Sequence, residues 1–421
     1  MRRKSVVSSI ISTLTRDSLA NLGQILLMPL FLINFGPSGY STWLTILSVT
    51  SFIVLADFGL SNVIIGKLMR IYEKHRTFDA SLWFWFKRKT FYLAFVLTAA
   101  TGALFYAKYS SDDHEITLIS TNSQVFASLT LASFVTIAQH FWLYKMQIIG
   151  CNTRAQSTLT INRLCEVVLF ATLLQFNLTL SFFSWIFLLS KLTLFVGLYF
   201  SFRRTLPIKL TSDSQPETSG MLAPAISNAL ITSANVLTIH GSFIIASFWL
   251  SPADLISLAI ARTLSSPIRI LGSAVTTGSL PYFIRVFNSG AQKDEDLSML
   301  NTVIRKSILL VSAIALIIFI FSEVAWDFLG NQMIQFNQVL VVFFCISTLS
   351  DSIVNLKFQR YLASNTALIP SAVYFCMTIV FISGQILVGE LLGVIAVPIC
   401  ILVADWITIG FQTFSRGRNA S

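Results

Sequence analysis

The chain has 421 residues, of which 54% are hydrophobic and 11% are charged. Soluble globular proteins average about 25% charged residues, so this chain is too apolar to cover a water-facing surface, and the same numbers exclude a disordered chain. A polytopic membrane protein remains. Its net charge of +10, from 29 Lys and Arg minus 19 Asp and Glu, fits basic loops on the cytoplasmic side of a membrane.

Charge-free stretches predict about twelve membrane-spanning helices, because one span needs about 20 apolar residues. The stretches 18–56 and 218–253 hold no Asp, Glu, Lys or Arg and are long enough for most of two helices each. Turns at Gly36-Pro37-Ser38-Gly39 and Ser251-Pro252 divide them. The predicted helices are 14–35, 40–65, 89–108, 119–145, 160–177, 181–202, 222–248, 254–284, 306–326, 333–356, 366–388 and 391–413.

The basic residues predict that both termini are cytoplasmic. If the helices alternate from a cytoplasmic N-terminus, the outer loops receive Lys108 with Asp112, Asp113 and Glu115, and the other loop Lys and Arg residues fall on the inner side. No loop exceeds about 25 residues and no G-x-x-x-x-G-K-[ST] pattern occurs, which argues against a soluble catalytic domain and a built-in ATPase.

The two halves of the chain look alike at a shift of about 215 residues, as in transporters built from parallel repeats. We therefore expect an N-terminal lobe, residues 1–212, and a C-terminal lobe, residues 213–421, with six helices each and a substrate path between them. Coincidental spacing in a structural bundle is the alternative. The matched positions are Pro37 and Pro252, Arg70 and Arg285, Asn21 and Asn235, and the clusters Lys87-Arg88-Lys89 and Arg305-Lys306.

Four basic residues of the predicted helices are singled out by their depth in the membrane, where a charge costs several kcal/mol unless it faces a cavity or a partner. By depth, Arg262 lies toward the outside, Arg269 and Lys191 near the middle, and Arg16 toward the inside. The planar fork of Arg suits phosphate, so this ladder predicts passage of an anionic group. Structural pairing with buried acids is the alternative.

The acids within or near the helices are the candidate partners for such structural pairing. Glu166 lies one turn from Arg163, and we predict an ion pair between them. Asp57, Asp351 and Asp405 are candidates for coupling transport to an ion, and Asp405 is the nearest of them to the middle of the membrane.

Polar faces on the first and seventh predicted helices add substrate-binding candidates. Asn21 shares a face with Asp17 and Gln24, and Asn235 shares a face with Asn228, Thr232 and Ser242. Such faces either line an aqueous cavity or hydrogen-bond neighbouring helices. Pro29 and Pro267 lie inside predicted helices, where we expect kinks.

Two runs of sequence carry a resemblance to a known family. They are Pro29-Leu30-Phe31-Leu32-Ile33-Asn34-Phe35-Gly36-Pro37-Ser38-Gly39-Tyr40-Ser41-Thr42-Trp43 and Leu55-Ala56-Asp57-Phe58-Gly59-Leu60-Ser61. Together they resemble the first helical hairpin of the Wzx-type O-antigen and polysaccharide repeat-unit flippases of the multidrug/oligosaccharidyl-lipid/polysaccharide (MOP) exporter superfamily. The family pattern often has Tyr-Gly where this chain has Tyr40-Ser41.

The resemblance implies an all-α polytopic protein of two six-helix lobes in the bacterial inner membrane. It implies that an undecaprenyl-diphosphate-linked oligosaccharide moves from the cytoplasmic to the periplasmic leaflet by alternating access through a cationic central cavity. No cofactor is expected, and energy would come from a proton or sodium gradient or from downstream consumption. A polysaccharide polymerase, a chain-length regulator and anionic membrane lipids are the implied partners, and nucleic acid is not.

Two other functions remain open from the sequence. An ion-coupled multidrug exporter of the same superfamily should line its cavity with acids and aromatics, and the intramembrane cations count against it. A membrane polysaccharide polymerase or acyltransferase should show a large outer loop or a His-Asp-type acceptor motif, whereas the longest predicted outer loop, 109–118, is short.

Overall fold

The structure, a computed structural model, is almost entirely helical. Of the predicted site residues, Asp57 lies outside the residues that the structure describes, and only the backbone of Arg16 is described. The described residues are 2–54, 56, 60–75, 78–109, 116–149, 152–176, 178–203, 210–211, 222–288, 294–363 and 367–418.

Four helices of the first half follow the predicted segmentation, with ends that differ by up to nine residues, whereas the predicted helix 40–65 covers the end of the first observed helix and the start of the second. The helices of this half are α1 (Arg2–Val54), α2 (Leu60–His75), α3 (Ala80–Tyr109), α4 (Ile116–Ile148), α5 (Asn152–Leu173) and α6 (Leu180–Arg203). Two short strands, β1 (Phe78–Asp79) and β2 (Leu210–Thr211), pair in parallel and are a small departure from the predicted all-α class.

The helices of the second half have two interruptions. Its helices are α7 (Leu222–Val236), α8 (Ser242–Ala246), α9 (Pro252–Asn288), α10 (Asp294–Ile320), α11 (Ser322–Gly330), α12 (Gln338–Ala363), α13 (Leu368–Leu392) and α14 (Ala396–Arg418). A π-helical turn, Leu237–Gly241, joins α7 to α8, and α10 and α11 form a pair bent by 65°. The predicted helices 222–248 and 306–326 each cross one of these interruptions.

The predicted break in the first long apolar stretch is confirmed at Gly36. Gly36 has φ 65° and ψ 178° inside α1, so the helix is two segments meeting at a kink. A positive φ is open to glycine at little cost, and Pro37 then starts the second segment, where its missing N–H is not needed. By contrast, α1 and α9 continue as helix through Pro29 and Pro267.

Within the described residues, seven stretches are long and apolar enough to cross a membrane, or eight if α10 and α11 form one bent span. The stretch Asp17–Val54 contains both segments of α1, and Leu368–Phe414 contains both α13 and α14. These findings support a polytopic membrane protein. The total of twelve spans and the cytoplasmic termini stay predictions.

The two halves meet along α1 and α9, and the largest apolar core lies across this contact. Buried α1 residues such as Phe31 and Trp43 share this core with Ile260 and Ile268 of α9. Around it, α1 packs on α4 and α5 in the first half, and α9 packs on α10 and α12 in the second. Any polar side chain on the inward face of α9 is therefore held at the junction of the halves.

Candidate functional site

The site centres on two arginines of α9 that lie on one helical face. Arg262 and Arg269 are seven residues apart, which is close to two turns, and Ser266 lies between them on the same stripe. Both arginine side chains are half-buried. Small residues along α9, including Ala259 and Ala261, allow close packing of the neighbouring helices.

Arg262 is fixed between the two halves of the chain. Its Nη1 donates a hydrogen bond of 2.9 Å to the backbone oxygen of Ile239, and its guanidinium lies 5.4 Å from the ring centre of Phe243. Tyr40 of α1 interacts electrostatically with the same group from the other half. Among the described residues, no carboxylate forms an ion pair with Arg262.

The π-helical turn explains why a carbonyl is available to Arg262. A π turn widens the helix and shifts its hydrogen bonds from i−4 to i−5, and such turns often occur at functional sites. Here the turn places the Ile239 oxygen within reach of α9 and brings His240 next to the arginine. The hydropathy pattern carries no indication of this turn, and the sequence predicts a regular helix over 222–248.

Asn21 and Ser266 connect the halves beside the arginines. The Ser266 hydroxyl donates to the Asn21 side-chain oxygen, and both residues are buried. The predicted polar face of the first helix therefore contacts the arginine stripe of α9. For Asn21, the hydrogen bond to a neighbouring helix is the observed arrangement, and it lies next to the candidate anion site.

Arg269 lies toward α12 and its acidic residue. A Cβ on Gly272 would approach the Ser352 hydroxyl oxygen to 2.9 Å, so glycine allows α9 to come very close to α12 there. Asp351 precedes Ser352 and interacts electrostatically with Arg269. Within the described part of the chain, the Arg269 guanidinium donates no hydrogen bond and forms no ion pair.

Asp351 belongs to a polar network in the second half. Asn355 Nδ2 donates to Asp351 Oδ1 at 3.0 Å, and the Tyr374 hydroxyl lies 3.1 Å from the same oxygen. The Tyr374 hydroxyl also lies 3.0 Å from Asn235 Oδ1, and Asn235 Nδ2 donates to Asn355 at 3.3 Å. Asn235 is thus placed with the acids and not directly with the arginines.

Asp405 of α14 is the second carboxylate of this region. It is 1% exposed, and its Oδ2 has no hydrogen-bond partner among the described residues. Its charge interacts with that of Asp351. The structure therefore brings together two of the three predicted ion-coupling acids, with Tyr374 and Asn355 as neighbours that the sequence reasoning missed.

Lys191 is held in a separate cluster in the first half. Its Nζ lies 2.5 Å from Glu166 Oε1, and both side chains are buried. Arg163 Nη1 lies 2.9 Å from Glu166 Oε2, which confirms the predicted pair within α5. Gln139 of α4 donates to the Lys191 backbone oxygen at 3.0 Å. This arrangement matches the structural-pairing alternative for Lys191.

No protein-family model matches the chain, and no curated protein matches it. Solved structures do match in fold. An inward-facing multidrug resistance MATE family transporter of the MOP superfamily has a TM-score of 0.65 and 13% identity, with 98% of each chain covered. A variant of the Vibrio cholerae MATE transporter VcmN has a TM-score of 0.62 and 12% identity, again with 98% of each chain covered.

A MOP superfamily transporter from Pyrococcus furiosus is also similar, with a TM-score of 0.53, 13% identity, and coverage of 98% of this chain and 95% of that one. The fold is thus that of a multi-pass helical membrane protein. More particularly, it is the fold shared by MATE transporters of the MOP superfamily. At these identities the similarity is one of fold.

Proposed function

We propose that this protein is a flippase that moves an undecaprenyl-diphosphate-linked oligosaccharide, such as an O-antigen repeat unit, across the bacterial inner membrane. The headgroup would pass from the cytoplasmic to the periplasmic leaflet between the two halves. The observation that carries the proposal is Arg262, a guanidinium at the junction of the halves without an ion-pair partner among the described residues.

A diphosphate would supply the negative charge that this site lacks. A cation partly removed from water is costly without a counter-charge, and in this structure the positive charge of Arg262 is met by a backbone oxygen and an aromatic ring. Two guanidinium groups about two turns apart on one helix can each make paired hydrogen bonds to a phosphate group. The polyprenyl tail would remain in the lipid while the anionic headgroup occupies the site.

The acids of the second half offer a means of energy coupling. Asp351 and Asp405 are both buried carboxylates of the second half, and acids at membrane depth can carry protons or Na⁺ in a transporter. The Tyr374 hydroxyl has one proton for its two acceptor neighbours, Asn235 Oδ1 and Asp351 Oδ1. A proton on Asp351 would complete this network, because it could be donated to the Tyr374 oxygen.

The second candidate function is an ion-coupled multidrug exporter, which is favoured by the similarity in fold to multidrug resistance MATE family transporters. The arginines favour the first candidate, because fixed cations repel organic cations. The Pyrococcus furiosus transporter is described as having a binding pocket of reversed polarity that suggests a different function. A transporter of this fold can therefore have a pocket whose polarity differs from that of its relatives.

A complementation experiment separates these candidates. The gene is expressed in one bacterial strain that lacks its polysaccharide flippase and in another that lacks its drug exporters. The flippase proposal predicts that surface polysaccharide returns in the first strain, that drug resistance does not rise in the second, and that Arg269→Ala removes the polysaccharide. Arg305→Ala, which removes an exposed arginine of α10, is the matched control.

Equal membrane levels of the variants, measured by immunoblot, are required for the comparison. Full surface polysaccharide in cells that carry the double variant Arg262→Ala/Arg269→Ala would contradict the proposed site. Drug resistance without any polysaccharide phenotype would favour the exporter.

A further inference from the structure

Two lysines of the first half lie against the same group of aromatic rings. Lys145, in the last turn of α4, has its Nζ 5.0 Å from the ring centre of Trp142 and 5.8 Å from that of Trp83. The Nζ of Lys87, in α3, lies 5.6 Å from the ring centre of Phe141. The Trp83 and Phe141 rings pack edge to face at 5.6 Å. The two amines are therefore held at neighbouring rings of one cluster.

The positive charges of Lys87 and Lys145 have no acidic partner in the part of the chain that the structure describes. Neither amine forms an ion pair or donates a hydrogen bond there, and the two charges repel each other. A ring face attracts a cation but does not replace the oxygen acceptors that the three N–H groups of an ammonium can use. Both lysines are half-buried and retain accessible surface, so the pair favours an anion with several acceptor oxygens.

The two lysines lie where a membrane surface is expected. The apolar stretch of α4 that could cross a membrane is Asn122–Met146, so Lys145 lies at its end. On α3, Phe84 and Phe95 are exposed and share one face, as expected for side chains that contact lipid. Lys87 follows Phe84 by about one turn and borders that face. Tryptophan is common at the level of lipid headgroups, and two tryptophan rings line this site.

The site is built by helices of the first half and lies apart from the two arginines of α9. Trp83 and Phe141 belong to a second apolar core, whose buried residues come from α1, α2, α3 and α4. Helix α3 packs on α1 and α4, and α4 packs on α1, α2, α5 and α6. A lipid of the surrounding bilayer can reach the exposed face of α3 directly, whereas a substrate passing between the halves would meet α1 and α9. This placement favours a bilayer lipid over the transported molecule.

We propose that Lys87 and Lys145 bind the headgroup phosphate of an acidic phospholipid, such as phosphatidylglycerol, from the leaflet on the predicted cytoplasmic side. The phosphate oxygens accept N–H groups of both amines, and the acyl chains run along the exposed face of α3. A zwitterionic phospholipid brings its own cation, whereas an acidic one has the net negative charge that offsets the lysine pair. Basic pockets between helices on this side of a membrane are a common type of headgroup site. The inference does not depend on the proposed function, because it uses no residue of α9.

The test measures how tightly the purified full chain binds phosphatidylglycerol and phosphatidylcholine. Native mass spectrometry of the protein in detergent, with each lipid added in steps, gives the occupancy of the first bound lipid. Wild type is compared with the double variant Lys87→Gln/Lys145→Gln. The matched control is Arg305→Gln/Lys306→Gln, which removes two exposed charges of α10 and changes the net charge by the same amount.

We expect wild type and the α10 control to bind phosphatidylglycerol roughly tenfold more tightly than phosphatidylcholine, because hydrogen bonds between charged groups are the strong ones. The variant Lys87→Gln/Lys145→Gln should bind both lipids alike. An unchanged preference in that variant would overturn the inference. An equal loss in the control would also overturn it, because binding would then depend on net charge alone. A wild type that binds farnesyl diphosphate and no phosphatidylglycerol at these lysines would overturn the assignment to a phospholipid.

A labelling experiment on wild type covers the case in which the double Gln variant does not fold. An amine-reactive acetylating reagent is applied to the protein in vesicles of phosphatidylcholine, with and without phosphatidylglycerol, and the labelled lysines are identified by mass spectrometry. The inference predicts that phosphatidylglycerol lowers the labelling of Lys87 and Lys145 severalfold, and more than it lowers the labelling of Lys306. Labelling that is unchanged, or lowered equally at all three lysines, would contradict it.

Discussion

Two groups of buried charges, one in each half of the chain, differ in how completely they are paired. In the first half, Glu166 accepts from both Lys191 and Arg163, so each carboxylate oxygen has a cationic partner. In the second half, Arg262 and Arg269 have no such partner among the described residues. The buried pair of Lys191 and Glu166 can connect helices without binding anything else, whereas a cation without an ion-pair partner at a junction requires a counter-ion.

This difference separates three of the cations of the predicted ladder, Lys191, Arg262 and Arg269, into two roles. Lys191 connects α6 to α5 through Glu166, so its charge is used within the protein. The two arginines of α9 retain accessible surface and unused donors, so they are the members available to a substrate. The following changes test whether the distinction holds.

The largest effect is expected from the arginines. Arg262→Gln should weaken binding of a prenyl diphosphate by roughly 10- to 100-fold, because hydrogen bonds to charged groups contribute about 1.5–3 kcal/mol. Arg262→Lys should be intermediate, because it keeps the charge and loses the planar fork. Binding measured by tryptophan fluorescence or calorimetry checks this order. If the Gln variant and wild type bind with equal affinity, Arg262 does not hold the diphosphate, and the proposed difference in role between Arg262 and Lys191 is wrong.

The next effect is a loss of stability when the buried ion pair of Lys191 and Glu166 is broken. Glu166→Ala leaves Lys191 buried without its partner, and breaking a buried ion pair costs roughly 3–5 kcal/mol. The variant should show a clearly lower unfolding temperature in detergent.

The double variant Glu166→Leu/Lys191→Met should recover most of that loss, since apolar replacement of both partners is often neutral. It should also keep transport. Loss of transport in a double variant of normal stability would show that Lys191 has a role in substrate passage after all.

Both groups were only partly predictable from the sequence. The pair Arg163–Glu166 follows from spacing within one helix, and it is present. The contact of Lys191 with the same acid joins residues 25 positions apart on different helices, and spacing gives no information about it. In the same way, Arg262 and Arg269 follow from charge at membrane depth, whereas the partners of Asp351 come from α12 and α13 together.

The fold, like the charges, was predictable where it depends on neighbouring residues in the sequence and not where it depends on packing between distant helices. The break at Gly36 was predictable because glycine and proline act on the backbone locally. The π-helical turn 237–241 was not, because it depends on packing against α1, α9 and α13.

A smaller effect is expected at the acids. Asp405→Asn keeps the size of the side chain and removes its charge and titration. Because Asp405 Oδ2 has no partner to lose, the unfolding free energy should change by no more than about 1 kcal/mol. Transport should lose its dependence on an imposed proton or sodium gradient, measured in vesicles with and without an ionophore. Unchanged gradient dependence would remove Asp405 from energy coupling.

The smallest effect on transport and on anion binding is expected at the kink of α1. Gly36→Ala forces a side chain into a combination of positive φ and extended ψ that is essentially restricted to glycine, which costs roughly 1–3 kcal/mol. Open space surrounds the Cβ position, so the cost comes from the backbone and not from a clash. The unfolding temperature should fall slightly, and anion affinity should stay unchanged. Gly66→Ala, in α2 and also surrounded by open space at Cβ, is the control.

The central claim is that the unpaired arginines hold the anionic headgroup as it crosses, and translocation in reconstituted vesicles tests it most directly. Purified protein is placed in liposomes with a fluorescent lipid-diphosphate oligosaccharide, and the fraction protected from an external quencher is followed over time. Wild type and Arg305→Ala should move the lipid between leaflets, and Arg262→Gln/Arg269→Gln should show only the rate of protein-free vesicles. Translocation by the double variant at the wild-type rate would contradict the account.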